Sequence, residues 1–174
     1  MPMTEVRNER VAYITKTGQC CRREMAAEGF SKIMVAFDGS DDSVKASRLA
    51  CSLVQKYGSQ LIIVHVHSFT LVAYGGATPM PMPDVRPLEE ASKAKALDIL
   101  NKGLDIAKEC GVAAQGKLIE APSIVQALVE YSTKEGVDLV VAGTRGMTGL
   151  KKLVMGSVSS GLVSHAKCPV LVVR

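Results

Sequence analysis

Val137-Asp138-Leu139-Val140-Val141-Ala142-Gly143-Thr144-Arg145-Gly146 decides how this chain is read, together with Gly156-Ser157 further on. An apolar run of strand length passes directly into two closely spaced glycines. After nine intervening residues a Gly-Ser pair opens a helix-like stretch. Glycine permits positive φ and close backbone approach to a ligand. The N–H groups at a helix start, with the helix dipole, favour anions. Strand, glycine loop and serine at a helix start therefore suit a phosphate site. The same residues also suit two ordinary loops with a helix cap.

The surrounding pattern has the same alternation. Ile33-Met34-Val35-Ala36-Phe37 is a near-continuous apolar run, as in a strand buried on both faces. Asp38-Gly39-Ser40-Asp41-Asp42 breaks it, with Ser40 as the N-cap of a helix and the aspartates in its first turn. Val44, Ala46, Leu49, Ala50, Leu53, Val54 and Tyr57 follow at helical spacing, and Gly58 ends the helix. Leu61 to Val66 is a second strand. Residues 68 to 87, rich in Gly and Pro, form a long loop suited to a lid or interface. Leu88 to Cys110 is a long helix with Leu97, Leu100, Leu104 and Ala107 on one face and Gly111 as its stop. A weaker strand lies within Val112 to Glu120. Pro122 suits the first position of the next helix, whose stripe is Ile124, Leu128 and Tyr131, widened by Val125 and Val129 and closed by Gly136. Asp138 to Ala142 is the fourth strand, Val158 to Lys167 the last helix, and Pro169 to Val173 the last strand.

Strands alternating with helices predict an α/β fold, a parallel sheet covered on both faces and filling residues 31 to 174. In such sheets ligands bind at the carboxyl ends of the strands, where the strand order reverses. If the first and fourth strands are neighbours, Asp38 and the glycine loop meet in one crevice. Residues 1 to 30 are polar and unpatterned, and are read as an extension outside the core, partly disordered.

The composition narrows the classes. Apolar residues make up 47% and charged residues 22% of 174, a globular balance sufficient for one core. Aromatics are 4%, with no Trp, which argues against stacking on single-stranded nucleic acid. The net charge of +4 is not clustered, so no nucleic-acid partner is expected. Cys20, Cys21, Cys51, Cys110 and Cys168 form no regular framework and point to a reducing, cytoplasmic setting. No run is long enough for a membrane span and no secretory h-region is apparent.

Among the remaining polar residues, Lys151 and Lys152 are read as a solvated face and Arg145 as a residue that flanks the phosphates or is merely part of the loop. His65 and His67 are read as lying on opposite faces of a strand, so that no metal site is expected of them. His165 is assigned to a helix end, and Met147 and Met155 to packing.

Familiar nucleotide loops are missing. No Gly-Lys-Ser/Thr occurs, since Gly116-Lys117 is followed by Leu118, and no GxGxxG follows the first strand. What stands is G-x2-G-x9-G-S over Gly143, Gly146, Gly156 and Ser157. With the early Val-Ala-Phe-Asp-Gly-Ser and the terminal Lys-Cys-Pro-Val-Leu-Val-Val, this closely resembles the universal stress protein family, over about residues 31 to 174.

The resemblance implies a Rossmann-like fold of the adenine nucleotide alpha hydrolase type, with a five-stranded parallel sheet in order 3-2-1-4-5. It implies the family's ATP-binding branch, with Mg²⁺ or Mn²⁺ held through the phosphates. Asp38 would hold the adenine edge or ribose, and Val66 would line the adenine pocket. Gly143 and Gly146 would contact ribose and the first phosphate; Gly156 and Ser157 would hold the outer phosphates with Val158 alongside. It further implies a homodimer paired through Val170 to Val173. The function implied is a nucleotide-dependent sensor or regulator in stress response. The alternatives are a slow ATPase or self-phosphorylating enzyme, for which no dedicated general base is visible, and an interaction module that takes no nucleotide. Asp38-Gly39-Ser40 does not match the Ser-Gly-Gly-x-Asp-Ser loop of related ATP-cleaving folds.

Overall fold

The computed structural model describes residues 29–68, 86–147 and 155–174. The elements run β1 (Lys32–Ala36), α1 (Asp41–Tyr57), β2 (Gln60–His67), α2 (Arg86–Glu109), β3 (Ala114–Glu120), α3 (Ile124–Lys134), β4 (Leu139–Gly143), α4 (Ser157–His165) and β5 (Val170–Val173). All paired strands are parallel, in the order β3-β2-β1-β4-β5. Met34 of β1 faces Ile62 of β2 on one side and Val140 of β4 on the other. The chain moves outward from β1 to β2 and β3, then crosses back to β4. The strand order therefore reverses between β1 and β4, where such sheets bind ligands.

Both sheet faces are buried, which explains the unbroken apolar runs. On one face Ile33, Val35, Phe37, Leu61 and Ile63 pack with α1 and α2 residues such as Ala46, Ala50, Leu100 and Ile106. On the other, Met34, Ile62, Val64, Val66, Val140 and Ala142 pack with Ala127, Leu128 and Leu162 of α3 and α4. At the amino edge, the Asp138 carboxylate accepts the N–H groups of Ser31 and Lys32, at 2.9 and 3.0 Å, and aligns β4 with β1.

The helix signals act as their chemistry requires. Ser40 caps α1 by accepting the Ser43 N–H at 3.3 Å. Gly58, at φ 68°, closes the helix and donates to the Val54 carbonyl. Gly111 and Gly136 have φ 71° and 66°.

Some details differ from the expectations. α2 begins at Arg86, inside the stretch expected to be loop; loop residues 69 to 85, and the extension before residue 29, lie outside the described residues. Leu97 is 43% exposed, because α2 turns Ala96, Leu100, Gly103, Ile106 and Ala107 inward. The small residues let the helix sit close to the sheet. A Cβ on Gly103 would stand 2.9 Å from Ile63 and 3.0 Å from Phe37. Pro122 precedes the helix rather than opening it: Ser123 caps α3 and accepts the Gln126 N–H.

Candidate functional site at the carboxyl edge

Asp38 leaves the end of β1 and organises its surroundings with both carboxylate oxygens. Its Oδ1 accepts the Ser40 N–H at 3.0 Å and the Ser40 hydroxyl at 2.6 Å, a side-chain-to-backbone turn two residues long. Its Oδ2 accepts the Met147 N–H at 3.2 Å, across the crevice, from the loop after β4. The Ser40 hydroxyl also reaches the Arg145 carbonyl at 3.2 Å. The crevice expected from the strand order is therefore formed, and both loops are tied across it.

The loop after β4 is held from behind. The Thr144 N–H and hydroxyl donate to the Val173 carbonyl at 2.6 and 2.7 Å. The Thr144 carbonyl accepts the Gly156 N–H at 2.8 Å, and the Ser159 hydroxyl donates to the Gly143 carbonyl at 2.6 Å. Two hydroxyl residues that the sequence reading did not single out, Thr144 and Ser159, thus bind the glycine loop to β5 and α4. Thr144 lies within the quoted motif. Ser159 carries no local signal, because its partner is sixteen residues away.

The motif glycines are there for room, not for unusual dihedrals. The positive φ in this region belongs to Gly39, at 84°, while Gly143, Gly146 and Gly156 lie outside that region. The expected positive-φ role therefore does not apply to these three. A Cβ on Gly143 would stand 2.7 Å from the Asp42 carbonyl carbon and 2.8 Å from the Ser43 nitrogen, so β4 ends hard against the first turn of α1. A Cβ on Gly146 would stand 2.7 Å from Asp38 Oδ2, and one on Gly156 3.2 Å from the Thr144 oxygen. Gly156 is also the N-cap of α4 and makes no side-chain capping bond. The first-turn N–H groups thus keep their anion-binding character.

The structure brings Asp38, Gly143, Arg145, Gly146 and Gly156 into one contact network, and Ser157 and Val158 follow on the first turn of α4. Ser157 is exposed. Val66 is 8% exposed, at the carboxyl end of β2, and belongs to the core cluster against which Val158 packs. Arg145 Nε is buried and has no hydrogen-bond partner among the described residues. Lys151 and Lys152 lie outside the described residues.

Other expectations are corrected here. Met147 is 69% exposed, so it does not pack. His65 and His67 share a face of β2, because residues two apart on a strand point the same way. Separate partners hold them: a His65 ring nitrogen lies 2.8 Å from the Phe37 carbonyl, and one of His67 lies 2.8 Å from the Ser92 hydroxyl. Among the described residues no group of three or more metal-ligating side chains comes together, and no helix is long and apolar enough to cross a membrane.

Fold and crevice together define a doubly wound, Rossmann-like α/β protein whose two glycine turns meet at the switch point between β1 and β4. The model of the Universal stress protein family matches residues 29–174, and the chain belongs to that family. It is 33% identical over 148 residues to the universal stress protein YxiE of Bacillus subtilis, covering 83% of this chain and 99% of that protein. The universal stress protein UspA from Lactobacillus plantarum superimposes with a TM-score of 0.70 at 22% identity, over 84% of this chain and 99% of that one. A universal stress protein solved in complex with cAMP superimposes with a TM-score of 0.60 at 24% identity, over 84% of this chain and 98% of the other.

Proposed function

We propose that this protein binds ATP, as its Mg²⁺ or Mn²⁺ complex, in the crevice between the loops after β1 and β4, and acts as a nucleotide-dependent regulator in stress response. The observation that carries the reading is the pairing of Asp38 with Gly146 beneath the N-terminus of α4, which has no side-chain cap. A triphosphate supplies the negative charge that this N-terminus and the unpartnered Arg145 Nε favour. Gly156 and Ser157 take the outer phosphates and Gly146 the ribose side, while Asp38 and Val66 border the adenosine. Gly143 serves this site indirectly, by letting α1 close against β4. The solved relative in complex with cAMP supports adenine as the base. The metal rides on the phosphates. A homodimer through β5, which lies at the sheet edge, completes the reading.

The test is calorimetric titration of nucleotide-free protein with Mg·ATP, with Gly146→Val as control. Saturable one-to-one binding that the substitution abolishes supports the reading. No heat of binding by the unsubstituted protein overturns it in favour of an interaction module.

A further inference from the structure

On the sheet face covered by α1 and α2, beyond the first turns of α1 that meet the glycine loop, α1 and the end of α2 bring two cysteines together. Arg48, Cys51 and Gln55 recur at helical spacing and share one side of α1. Arg48 Nη2 meets Glu109 Oε2 at 3.0 Å. Gln55 Nε2 donates to the Cys110 carbonyl at 2.6 Å. The residues before and after Cys51 thus grip Glu109 and Cys110 and set Cys51 against the end of α2. Cys51 is 1% exposed, whereas Cys110 is half-buried and sits just before the Gly111 turn. Neither belongs to the nucleotide crevice.

We propose that Cys51 and Cys110 are an oxidant-modification site, which a hydroperoxide converts to a disulfide linking α1 to the end of α2. The accessible sulfur reacts first. The Cys110 thiolate attacks the terminal peroxide oxygen, the O–O bond breaks, and Cys110 becomes a sulfenic acid as alkoxide (hydroxide from hydrogen peroxide) leaves and takes up the proton that the thiol gave up. The Cys51 sulfur then attacks the Cys110 sulfur. The S–O bond breaks, and the Cys51 proton departs with the hydroxide as water. Two thiols and one hydroperoxide thus give one disulfide, one water and one alcohol, or a second water from hydrogen peroxide. The Arg48 and Gln55 contacts hold the two cysteine-bearing segments against each other, the arrangement that a bridge needs. Burial and the neighbouring Cys110 thiol push Cys51 up to about 12, which keeps it a protonated, resolving thiol rather than the first nucleophile.

The experiment treats the reduced full-length chain with stoichiometric hydrogen peroxide, blocks remaining thiols with iodoacetamide and digests with trypsin without reductant. Cleavage after Arg48, Lys56, Lys108 and Lys117 places Cys51 in peptide 49–56 and Cys110 in peptide 109–117, each with no other cysteine. The expected result is one cross-linked species of these two peptides, two hydrogens lighter than their sum, which dithiothreitol separates. In Cys51→Ala, dimedone should trap sulfenic acid at Cys110. Recovery of both peptides singly alkylated, or cross-links confined to other cysteines, overturns the proposal. Dimedone labelling of Cys51 in Cys110→Ala, with none of Cys110 in Cys51→Ala, overturns the order of attack.

Discussion

Asp38 Oδ2 accepts the Met147 N–H at 3.2 Å, so the loop that ends β1 holds the loop that ends β4. The other oxygen is committed to the Ser40 turn. Asp38→Asn separates the two duties. An amide oxygen retains the Ser40 bonds, but an NH₂ group cannot accept from Met147. Met147 is exposed, so water satisfies the released N–H and the stability loss should be about 1 kcal/mol. ATP affinity should fall at least tenfold, because both the loop closure and the carboxylate are lost. Urea denaturation and calorimetry read the two effects. Unchanged affinity would remove Asp38 from the ligand site.

The glycines at 143 and 146 should behave differently although their spacing suggests one motif. An added methyl at 143 meets α1 backbone at 2.7 and 2.8 Å, and backbone cannot step aside without moving the helix. Gly143→Ala should cost about 2–3 kcal/mol. At 146 the methyl meets the end of the Asp38 side chain, which can turn away. Gly146→Ala should cost about 1 kcal/mol, the worth of the Asp38–Met147 bond that the turn gives up, and weaken ATP binding. The urea midpoints should differ while the slope stays common to both. Equal midpoints would contradict the packing role of Gly143.

What was legible in the sequence depended on how local its cause was. The two-sided burial of β1, β2 and β4 is written in their apolar runs, and the stops at Gly58, Gly111 and Gly136 follow from dihedrals that glycine adopts readily. The convergence of Asp38 with the loop after β4 needed only the strand order. Leu97 misleads because size is not the mark of the inward face: α2 turns Ala96, Gly103 and Ala107 inward with Leu100 and Ile106, and at Gly103 there is no room for a Cβ. The motif glycines do come together, yet not through unusual dihedrals: what fills their missing Cβ positions is α1 backbone, a carboxylate and a loop carbonyl, all distant in sequence. Thr144 and Ser159 were missed likewise, since their partners at Val173 and Gly143 exist only after folding.

Cys51 gives stability a pH signature. Burial foremost, then the Cys110 thiol, raises it from 9.0 to about 12. A raised folded-state value means that the native chain holds the proton more tightly than the unfolded chain. Its contribution is therefore fully present below pH 9 and is lost as pH climbs from 9 towards 12. Cys51→Ala lacks this dependence. The stability difference between the two proteins should be constant at neutral pH and shift against the wild type in alkali, as read by urea titrations across that range. Parallel curves throughout would show that Cys51 ionises as freely folded as unfolded.

The outer edge of the sheet offers the sharpest test of assembly. The Val140 N–H donates to the Pro169 carbonyl, and the Thr144 N–H to the Val173 carbonyl. In a parallel ladder the odd residues of β5 therefore face β4, and the N–H groups of Val170 and Val172 point to the free edge. Val172→Pro removes one outward donor and leaves the β4 ladder intact. If the homodimer pairs through β5, light scattering should show the wild type at twice the chain mass and the variant at one chain mass, with unchanged helix content by circular dichroism. A dimeric variant would place the interface elsewhere. A monomeric wild type would leave this edge without a partner strand, and its short length, four residues, would be what protects it from aggregation.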